Sequence, residues 1–129
     1  MTQRNTRQMA VTLDAVKTLA CHPTADQVYD YIHTGHPHVS RATVYRNLNK
    51  LCRAGQIQRV KLSGGADRFD HTLRPHYHFV CGVCGKVEDL DLPYIDDIND
   101  MCQNLGGRLV NRHRIVFDGV CADCLKKGN

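Results

Sequence analysis

Hydrophobic residues recur at helical spacing in three successive segments of the first half of the chain. The first segment runs from about residue 7 to residue 20 and predicts a helix. The residues that this helix would bury on one face are Met9, Val16, Leu19 and Ala20. The two segments that follow carry capping signals as well as periodicity, so the ends of their helices can also be predicted.

The second and third segments begin at recognisable helix caps. In HPTADQVYDYIHTG, Thr24 and Gln27 form a capping-box pattern, and Gly35 suits the end of the helix. The inward residues of this helix would be Val28, Tyr31 and Ile32. In SRATVYRNLNKLCRAG, Ser40 would be the N-cap, and Gly55 would lie at the C-terminal end. The inward residues of this third helix would be Val44, Leu48, Leu51 and Cys52.

A strand pattern follows the three helices. The segment QIQRVKLSGGADRFD alternates around Gly64 and Gly65, which predicts a β-hairpin. Three short helices and a hairpin are the order of a winged helix-turn-helix, whose third helix enters the major groove of DNA. The residues of that helix that we expect to contact DNA are Ser40, Arg41, Thr43, Tyr45, Arg46, Asn47 and Lys50. A merely solvated helix face would have a similar composition, but the hairpin and the short helix connection favour DNA.

The pattern changes near Pro75 and predicts a second, smaller domain. HYHFVC and KVEDLDL indicate short strands, DDINDMCQNLG a helix, and RLVNRHRIVFDGV a longer alternating strand that contains His113. We expect a structural hydrogen-bonding role for His113. The fold class is therefore α+β, with a winged helix-turn-helix over 1–73 and a small α/β domain over 74–129. Helix-turn-helix proteins usually act as symmetric pairs, so the second domain is expected to form a homodimer.

The charge distribution supports the same division. The net charge is +4, but residues 1–70 carry ten basic and five acidic residues, whereas residues 71–129 carry seven and eight. A basic first half favours contact with a polyanion such as DNA. Neither a membrane-spanning apolar run nor the apolar core of a signal peptide is present, so we expect a cytoplasmic protein that does not bind membranes. Cytosolic thiols stay reduced and are available to metals.

Two CxxC pairs predict a structural zinc site. Cys81 and Cys84 form the first pair, Cys121 and Cys124 form the second, and 36 residues lie between them. Four thiolates suit tetrahedral Zn²⁺, and closing so long a loop would stabilise a small domain. A redox-active pair or free thiols are the alternative, but the repetition of the motif favours zinc.

Histidines and carboxylates near the first CxxC predict a second, different metal site. His76 and His78 are two residues apart, so on a strand both imidazoles would face one side. Asp70 and Asp89 flank them. A sulfur-free set of nitrogen and oxygen ligands suits Mn²⁺, Fe²⁺ or Zn²⁺, and five or six such ligands favour the first two. Such a set also occurs in non-haem iron enzymes, but about half of this chain is the predicted winged helix and no cosubstrate-binding segment is visible, so we expect no enzyme activity.

The chain resembles the ferric uptake regulator family in several motifs that occur in the same order. They are HPTAD at 22–26, SRATVYRNL at 40–48, RFD at 68–70, HYHFVCGVCGK at 76–86 and the C-terminal CADC. The resemblance implies a winged-helix DNA-binding domain, a dimerisation domain, a four-thiolate zinc site and metal-activated repression at a palindromic operator.

Within that family the chain is most similar to the peroxide-responsive repressors. The resemblance implies that a regulatory Fe²⁺ or Mn²⁺ is bound by His22, Asp70, His76, His78 and Asp89. It also implies that iron and peroxide together oxidise His22 or His76, with peroxide as the only small-molecule substrate. Iron-sensing members tend to have Glu at the position of Asp89 and commonly Asp at that of Tyr77, which favours peroxide sensing here. Repressors that sense the level of iron or zinc remain the alternative.

Overall fold

The computed structural model describes residues 3–62, 64–103 and 105–127. Ser63 of the predicted hairpin and Asn104 of the predicted fourth helix lie outside the described residues. The chain divides into two compact units, Met1–Leu73 and Arg74–Asn129. Helices and small antiparallel or mixed sheets make up both units, which confirms the α+β fold class. None of the helices in the described ranges is long and apolar enough to cross a membrane.

Three helices form most of the first unit: α1 (Gln3–Leu19), α2 (Ala25–Gly35) and α3 (Arg41–Arg53). The predicted capping box at the start of α2 is present, with the Thr24 hydroxyl accepting from the Gln27 backbone N–H and the Gln27 side chain accepting from the Thr24 N–H. Ser40 caps α3 by accepting from the Thr43 N–H. Both helices therefore begin where the cap satisfies backbone N–H groups that have no partner within the helix.

The core of the first unit lies where the three helices meet. Its buried residues are Ala15, Val16, Val28, Ile32, Val39, Val44, Leu48, Leu51, Ile57 and Phe69. Two residues that were predicted to lie in the core are exposed instead. Ala20 is exposed because α1 ends at Leu19 and the chain turns with a positive φ of 55° at Ala20. Tyr31 is 44% exposed because its position on α2 lies at the edge of the buried face.

A two-stranded antiparallel hairpin completes the first unit and confirms the predicted wing. Strand β1 (Gln58–Val60) pairs with β2 (Arg68–Asp70), and Arg59 lies opposite Phe69. Strand β2 also holds the segment between α1 and α2, because the Phe69 N–H donates to the Pro23 carbonyl at 2.9 Å and an isolated bridge joins Thr24 to Arg68. The winged helix-turn-helix is therefore one packed structure, with the wing attached to the start of α2.

The second unit is a three-stranded sheet with short helices. Strands β3 (His78–Cys81), β4 (Val87–Asp89) and β5 (Val116–Gly119) have the order β4-β3-β5, with β3 antiparallel to β4 and parallel to β5. A parallel pair needs a long crossover, and this one contains α4 (Asp96–Cys102) and a 3-10 turn (Leu105–Gly107). Helix α5 (Ala122–Lys126) follows β5.

The long final strand predicted from RLVNRHRIVFDGV is shorter than expected. Only Val116–Gly119 forms a strand, and the segment from Arg108 to Ile115, which contains His113, has no regular structure. Alternation alone does not make a strand, because the backbone also needs a neighbouring strand to bond to, and β3 extends only from His78. His76 likewise precedes strand β3 instead of lying on it.

Candidate metal centres and recognition helix

The pairing of β3 with β5 brings the two CxxC motifs together. Cys81 lies opposite Gly119, two residues before Cys121, and the Gly82 N–H donates to the Gly119 carbonyl at 2.8 Å. A Cβ at Gly119 would lie 3.0 Å from Cε2 of Phe79, so a larger residue there would have to displace that ring. The parallel register therefore sets the distance between the motifs despite the 36 residues that separate them in sequence.

The first CxxC forms a turn that stabilises a thiolate at Cys81. Gly85 has a φ of 78°, and its N–H donates to the Cys81 carbonyl at 2.9 Å. The backbone N–H groups of Cys84, Cys121 and Val83 each lie 3.4 Å from Cys81 Sγ and donate to it. These donors, led by that of Cys84, lower the pKa of Cys81 from 9.0 to about 6.

The four cysteine sulfurs match the size of a zinc ion. All four lie within 4.8 Å of one another, and Cys81–Cys124 and Cys84–Cys121 are each separated by 3.8 Å. Zn–S bonds of roughly 2.3 Å at tetrahedral angles would place sulfurs about 3.8 Å apart. The hydrogen bond with the Cys121 thiol and then burial raise the pKa of Cys124 to about 12, so four thiolates need a cation to coexist. Zn²⁺ fits this set.

The second candidate set in this unit consists of two imidazoles around one carboxylate. Asp89 Oδ1 lies 3.1 Å from His76 Nε2 and 3.5 Å from His78 Nε2, and the two rings are 4.4 Å apart. His78 lies opposite Asp89 in the β3–β4 register, which places their side chains together. His76 Nδ1 lies 2.7 Å from the Arg74 carbonyl, which can only accept. Nδ1 therefore carries a proton and donates to this carbonyl, and Nε2 is the nitrogen that faces the carboxylate and is placed to bind a metal ion.

The first unit contains a pair of side chains of the same chemistry. His22 Nε2 lies 3.4 Å from Asp70 Oδ2, and both side chains are buried. The other Asp70 oxygen accepts from the Thr72 N–H at 2.9 Å, which fixes the carboxylate at the end of β2. His22 has a φ of 54°, which is unfavourable for a residue with a Cβ. Arg68 holds it there by donating to the His22 carbonyl at 3.1 Å.

The predicted DNA-contacting residues of α3 do not all lie on its exposed face. Arg41, Tyr45, Arg46 and Lys50 are exposed, Ser40 is the exposed N-cap and Thr43 is partly buried. Asn47 is an error in the prediction. It is buried because it follows Val44 by three positions and precedes Leu51 by four, so it shares their inward face, where its amide lies 3.5 Å from Thr12 Oγ1.

Two groups of polar side chains were not anticipated from the sequence. In the first unit, Asp26 contacts both Arg41 and Tyr45. In the second, His113 lies 2.5 Å from the Tyr77 hydroxyl and 2.7 Å from Asn99 Oδ1, which gives it the predicted hydrogen-bonding role. The i, i+4 spacing of the two α3 residues was visible in the sequence, but their shared contact on another helix was not.

A winged helix followed by a small domain with thiol and imidazole–carboxylate clusters is the arrangement expected of a metal-responsive DNA-binding regulator. The model of the ferric uptake regulator family matches residues 1–117. The chain therefore belongs to the ferric uptake regulator family, as the sequence motifs indicated. The match ends before Cys121, so the proposed pairing of this residue with the first CxxC rests on the geometry given above.

Relatives with known names point to the peroxide-responsive members of the family. The chain is 34% identical over 126 residues to the peroxide operon regulator of Bacillus subtilis, covering 98% of this chain and 87% of that protein. It is also 34% identical over 108 residues to the peroxide-responsive repressor PerR of Staphylococcus epidermidis, covering 84% and 72%.

Solved structures of similar proteins support the fold. The peroxide stress regulator of Campylobacter jejuni matches with a TM-score of 0.75 at 28% identity, over 94% of this chain and 91% of that one. The ferric uptake regulator of Helicobacter pylori matches with a TM-score of 0.79 over 95% and 83%, and at 19% identity this likeness concerns the fold alone. The predicted family and fold class are thus confirmed, and the chain is a metal-responsive regulator of this family.

Proposed function

We propose that this protein is a metal-dependent, DNA-binding repressor that senses peroxide through oxidation of a histidine that binds its regulatory metal. The observation that carries the proposal is the arrangement of His76 and His78 around Asp89, with Nε2 of both rings directed at the carboxylate. The family membership and the names of the peroxide-responsive relatives support it.

The proposed DNA-binding part is the first unit. Its support is the winged helix-turn-helix order of the elements and the excess of five basic over acidic side chains in residues 1–70. The side chains that would contact DNA are those of Ser40, Arg41, Thr43, Tyr45, Arg46 and Lys50. Asn47 is not among them, because a buried side chain cannot reach a base edge.

The second unit is proposed to form a homodimer that matches a palindromic operator. Its support is the apolar surface of this unit: Leu109 is 81% exposed, Met101 is 75% exposed, and α4 buries none of its residues. Large apolar side chains that are this exposed suit a protein interface better than contact with water. Two copies related by a twofold axis would present two α3 helices to two half-sites of opposite orientation.

Zinc bound by Cys81, Cys84, Cys121 and Cys124 is proposed to be structural. The four sulfurs have the separation that tetrahedral zinc requires, and three of them are buried. Protein ligands would fill every position on the metal, which leaves no place for a reactive water. The binding energy of zinc would then contribute to folding of the second unit.

The regulatory ion is proposed to be Fe²⁺ or Mn²⁺ bound by two groups of side chains. The ligands are His22 and Asp70 of the first unit and His76, His78 and Asp89 of the second. Imidazole and carboxylate ligands without sulfur suit these ions, and two carboxylates balance their charge. Binding by both groups would link the two units and favour one arrangement of the α3 helices in the dimer, so that metal binding and DNA binding are coupled.

The peroxide response is proposed to occur at His22 or His76. A bound Fe²⁺ would supply the redox chemistry that activates peroxide, and the net change would be one peroxide oxygen inserted at an imidazole C–H bond while the other leaves as water. An imidazole ring that gains oxygen would lose basicity at its ligand nitrogen, and the coupling to DNA binding would be lost with it. Sensing of the iron or zinc level without oxidation is the second candidate, since it uses the same ligands. An enzyme is less well supported, because the family is one of transcription regulators.

The coupling can be tested by replacing His22 with Ala. Duplexes selected by the wild-type protein from a random library would serve as operator, and Mn²⁺ would be titrated while fluorescence anisotropy reports the affinity for DNA. Couplings of this kind typically change affinity about 5- to 150-fold. We expect metal to tighten binding of the wild-type protein in this range and to have no effect on His22→Ala.

His71→Ala is the matched control, because His71 is exposed and lies beside the proposed ligand Asp70 without belonging to the set. This variant should keep the response to Mn²⁺. A His22→Ala protein that responds to Mn²⁺ as the wild type does would contradict the proposed coupling.

A further inference from the structure

The carboxylate of Asp26 contacts two residues of the recognition helix α3. Arg41 Nη1 lies 2.5 Å from Asp26 Oδ1, and the Tyr45 hydroxyl donates to the same oxygen. Arg41 and Tyr45 are four residues apart and so lie one above the other on the same face of α3. Asp26 lies in the first turn of α2, whose position is fixed by the capping box. One carboxylate thus contacts two side chains that are proposed to contact DNA.

Arg41 is held on a second side by an aromatic ring. Its guanidinium carbon lies 4.4 Å from the centre of the Tyr29 ring, within the range of a cation–π contact. Tyr29 is itself stacked on His33 with ring centres 5.4 Å apart. The guanidinium therefore has a carboxylate at its edge and a ring on its face, and these contacts favour one orientation of a long, flexible side chain.

Stability does not account for this arrangement. Asp26 and Arg41 are 64% and 53% exposed, and ion pairs in such positions contribute little to folding. The contacts act on orientation instead. The hydrogen bond to Asp26 raises the pKa of Tyr45, and the hydrogen bond with Tyr45 raises the pKa of Arg41, so both groups keep the charge that they ordinarily have at neutral pH. The contacts thus fix the orientation of two groups on an exposed face.

We propose that Asp26 is a positioning residue that determines the sequence specificity of DNA binding. This inference rests on the proposed DNA-binding function and deepens it. Asp26 holds Arg41 and Tyr45 in the orientation from which they reach base edges, so that less conformational freedom is lost on binding the correct site. The negative charge of Asp26 also offsets the positive charge of Arg41. This weakens the attraction of Arg41 to DNA phosphates, which carry no sequence information.

Removing this carboxylate should therefore affect two kinds of DNA in opposite directions. In Asp26→Asn, Arg41 gains freedom and its positive charge is no longer offset, so binding to random duplexes should tighten. Binding to the selected operator should not tighten equally, because the orientation for base contacts is lost. Since one good base contact gives roughly 5- to 150-fold discrimination, we expect the ratio of operator to random-DNA affinity to fall by about fivefold or more.

The test compares Asp26→Asn with the control Asp30→Asn in protein loaded with zinc and with saturating Mn²⁺. Asp30 is an exposed carboxylate one turn further along α2, so its replacement removes the same charge from the same helix without touching Asp26, Arg41 or Tyr45. Affinities for the selected operator and for a scrambled duplex would be measured by fluorescence anisotropy at several salt concentrations. The logarithmic salt slope on random DNA should steepen by roughly one per subunit in Asp26→Asn, as expected for one additional phosphate contact. Asp26→Glu should restore much of the discrimination.

A loss of discrimination in Asp26→Asn but not in Asp30→Asn would support the inference. Equal changes in the two variants would overturn it, because they would show that only the local charge matters. Unchanged discrimination in Asp26→Asn would overturn it as well. A wild-type protein that does not distinguish operator from scrambled DNA would overturn the proposed function together with this inference, and that result is recognisable before any variant is examined.

Discussion

Replacing Tyr77 with Phe should destabilise the second unit by removing one hydroxyl from its interior. Tyr77 is fully buried and lies between the candidate ligands His76 and His78. Its hydroxyl lies 2.5 Å from His113 Nε2 and accepts from the Ile95 N–H at 3.0 Å. The substitution leaves the ring in place, so its effect should come from these two hydrogen bonds alone.

The direction of each hydrogen bond follows from the partners of His113. Its Nδ1 lies 2.7 Å from Asn99 Oδ1, which can only accept, so the ring proton is on Nδ1. Nε2 is therefore the acceptor for the Tyr77 hydroxyl. Removing that hydroxyl leaves a partly buried ring nitrogen and the Ile95 N–H without this partner. Two lost hydrogen bonds and partial desolvation of both groups would reduce the free energy of unfolding by about 2–4 kcal/mol.

Urea unfolding of the reduced, zinc-loaded protein, followed by far-UV circular dichroism at one protein concentration, would measure this change. Tyr31→Phe is the control, because Tyr31 is 44% exposed, and its effect should stay within about 0.5 kcal/mol. A Tyr77→Phe protein no less stable than this control would refute the reasoning. The same variant should also bind Mn²⁺ more weakly, because the backbone between His76 and His78 loses the bonds that fix it.

The zinc ligands, the protonation of Cys81 and the burial of Asn47 each lead to a further prediction. Chelating zinc should destabilise the second unit and lower its melting temperature, and a melting temperature unchanged by chelation would contradict a structural role. In the zinc-free protein the pKa of Cys81 falls from 9.0 to about 6 on folding, so the folded form binds fewer protons than the unfolded form between these values. The stabilisation that comes from the lowered pKa of Cys81 should be complete above pH 9 and absent below pH 6. The melting temperature should therefore rise between pH 6 and pH 9 more in the wild type than in Cys81→Ser. Asn47→Ala should lower the free energy of unfolding by about 1 kcal/mol, because Asn47 is buried. The ratio of operator to random-DNA affinity should stay unchanged, and an altered ratio in the anisotropy assay would show that Asn47 contacts DNA.

Local signals in the sequence predicted the helices of the first unit well. Thr24 and Ser40 set the starts of α2 and α3, because a cap acts through neighbouring backbone groups. The error at Asn47 had a different origin. Its spacing from Val44 and Leu51 placed it on the inward face, but its polarity was given more weight than its position. Periodicity was the better guide in this helix.

Features that depend on distant residues were less predictable. The final strand was too long in the prediction, because strand formation at His113 would need a neighbouring backbone that β3 does not supply. The positive φ of His22 has no signal in the sequence, since it depends on Arg68 holding the His22 carbonyl. The contact of Asp26 with Arg41 likewise needs α2 and α3 to pack before it exists. Spacing predicts which residues share an element, whereas contacts between elements need the fold.

Peptide mass spectrometry of the protein loaded with Fe²⁺ under anaerobic conditions, before and after a small dose of peroxide, tests the proposed peroxide sensing most directly. Protein loaded with Mn²⁺ is the control. We predict one added oxygen on the peptide that contains His22 or His76, with iron only, together with loss of operator binding. Unmodified histidines in an iron-loaded protein that binds operator before and after peroxide would contradict peroxide sensing and favour a sensor of the metal level.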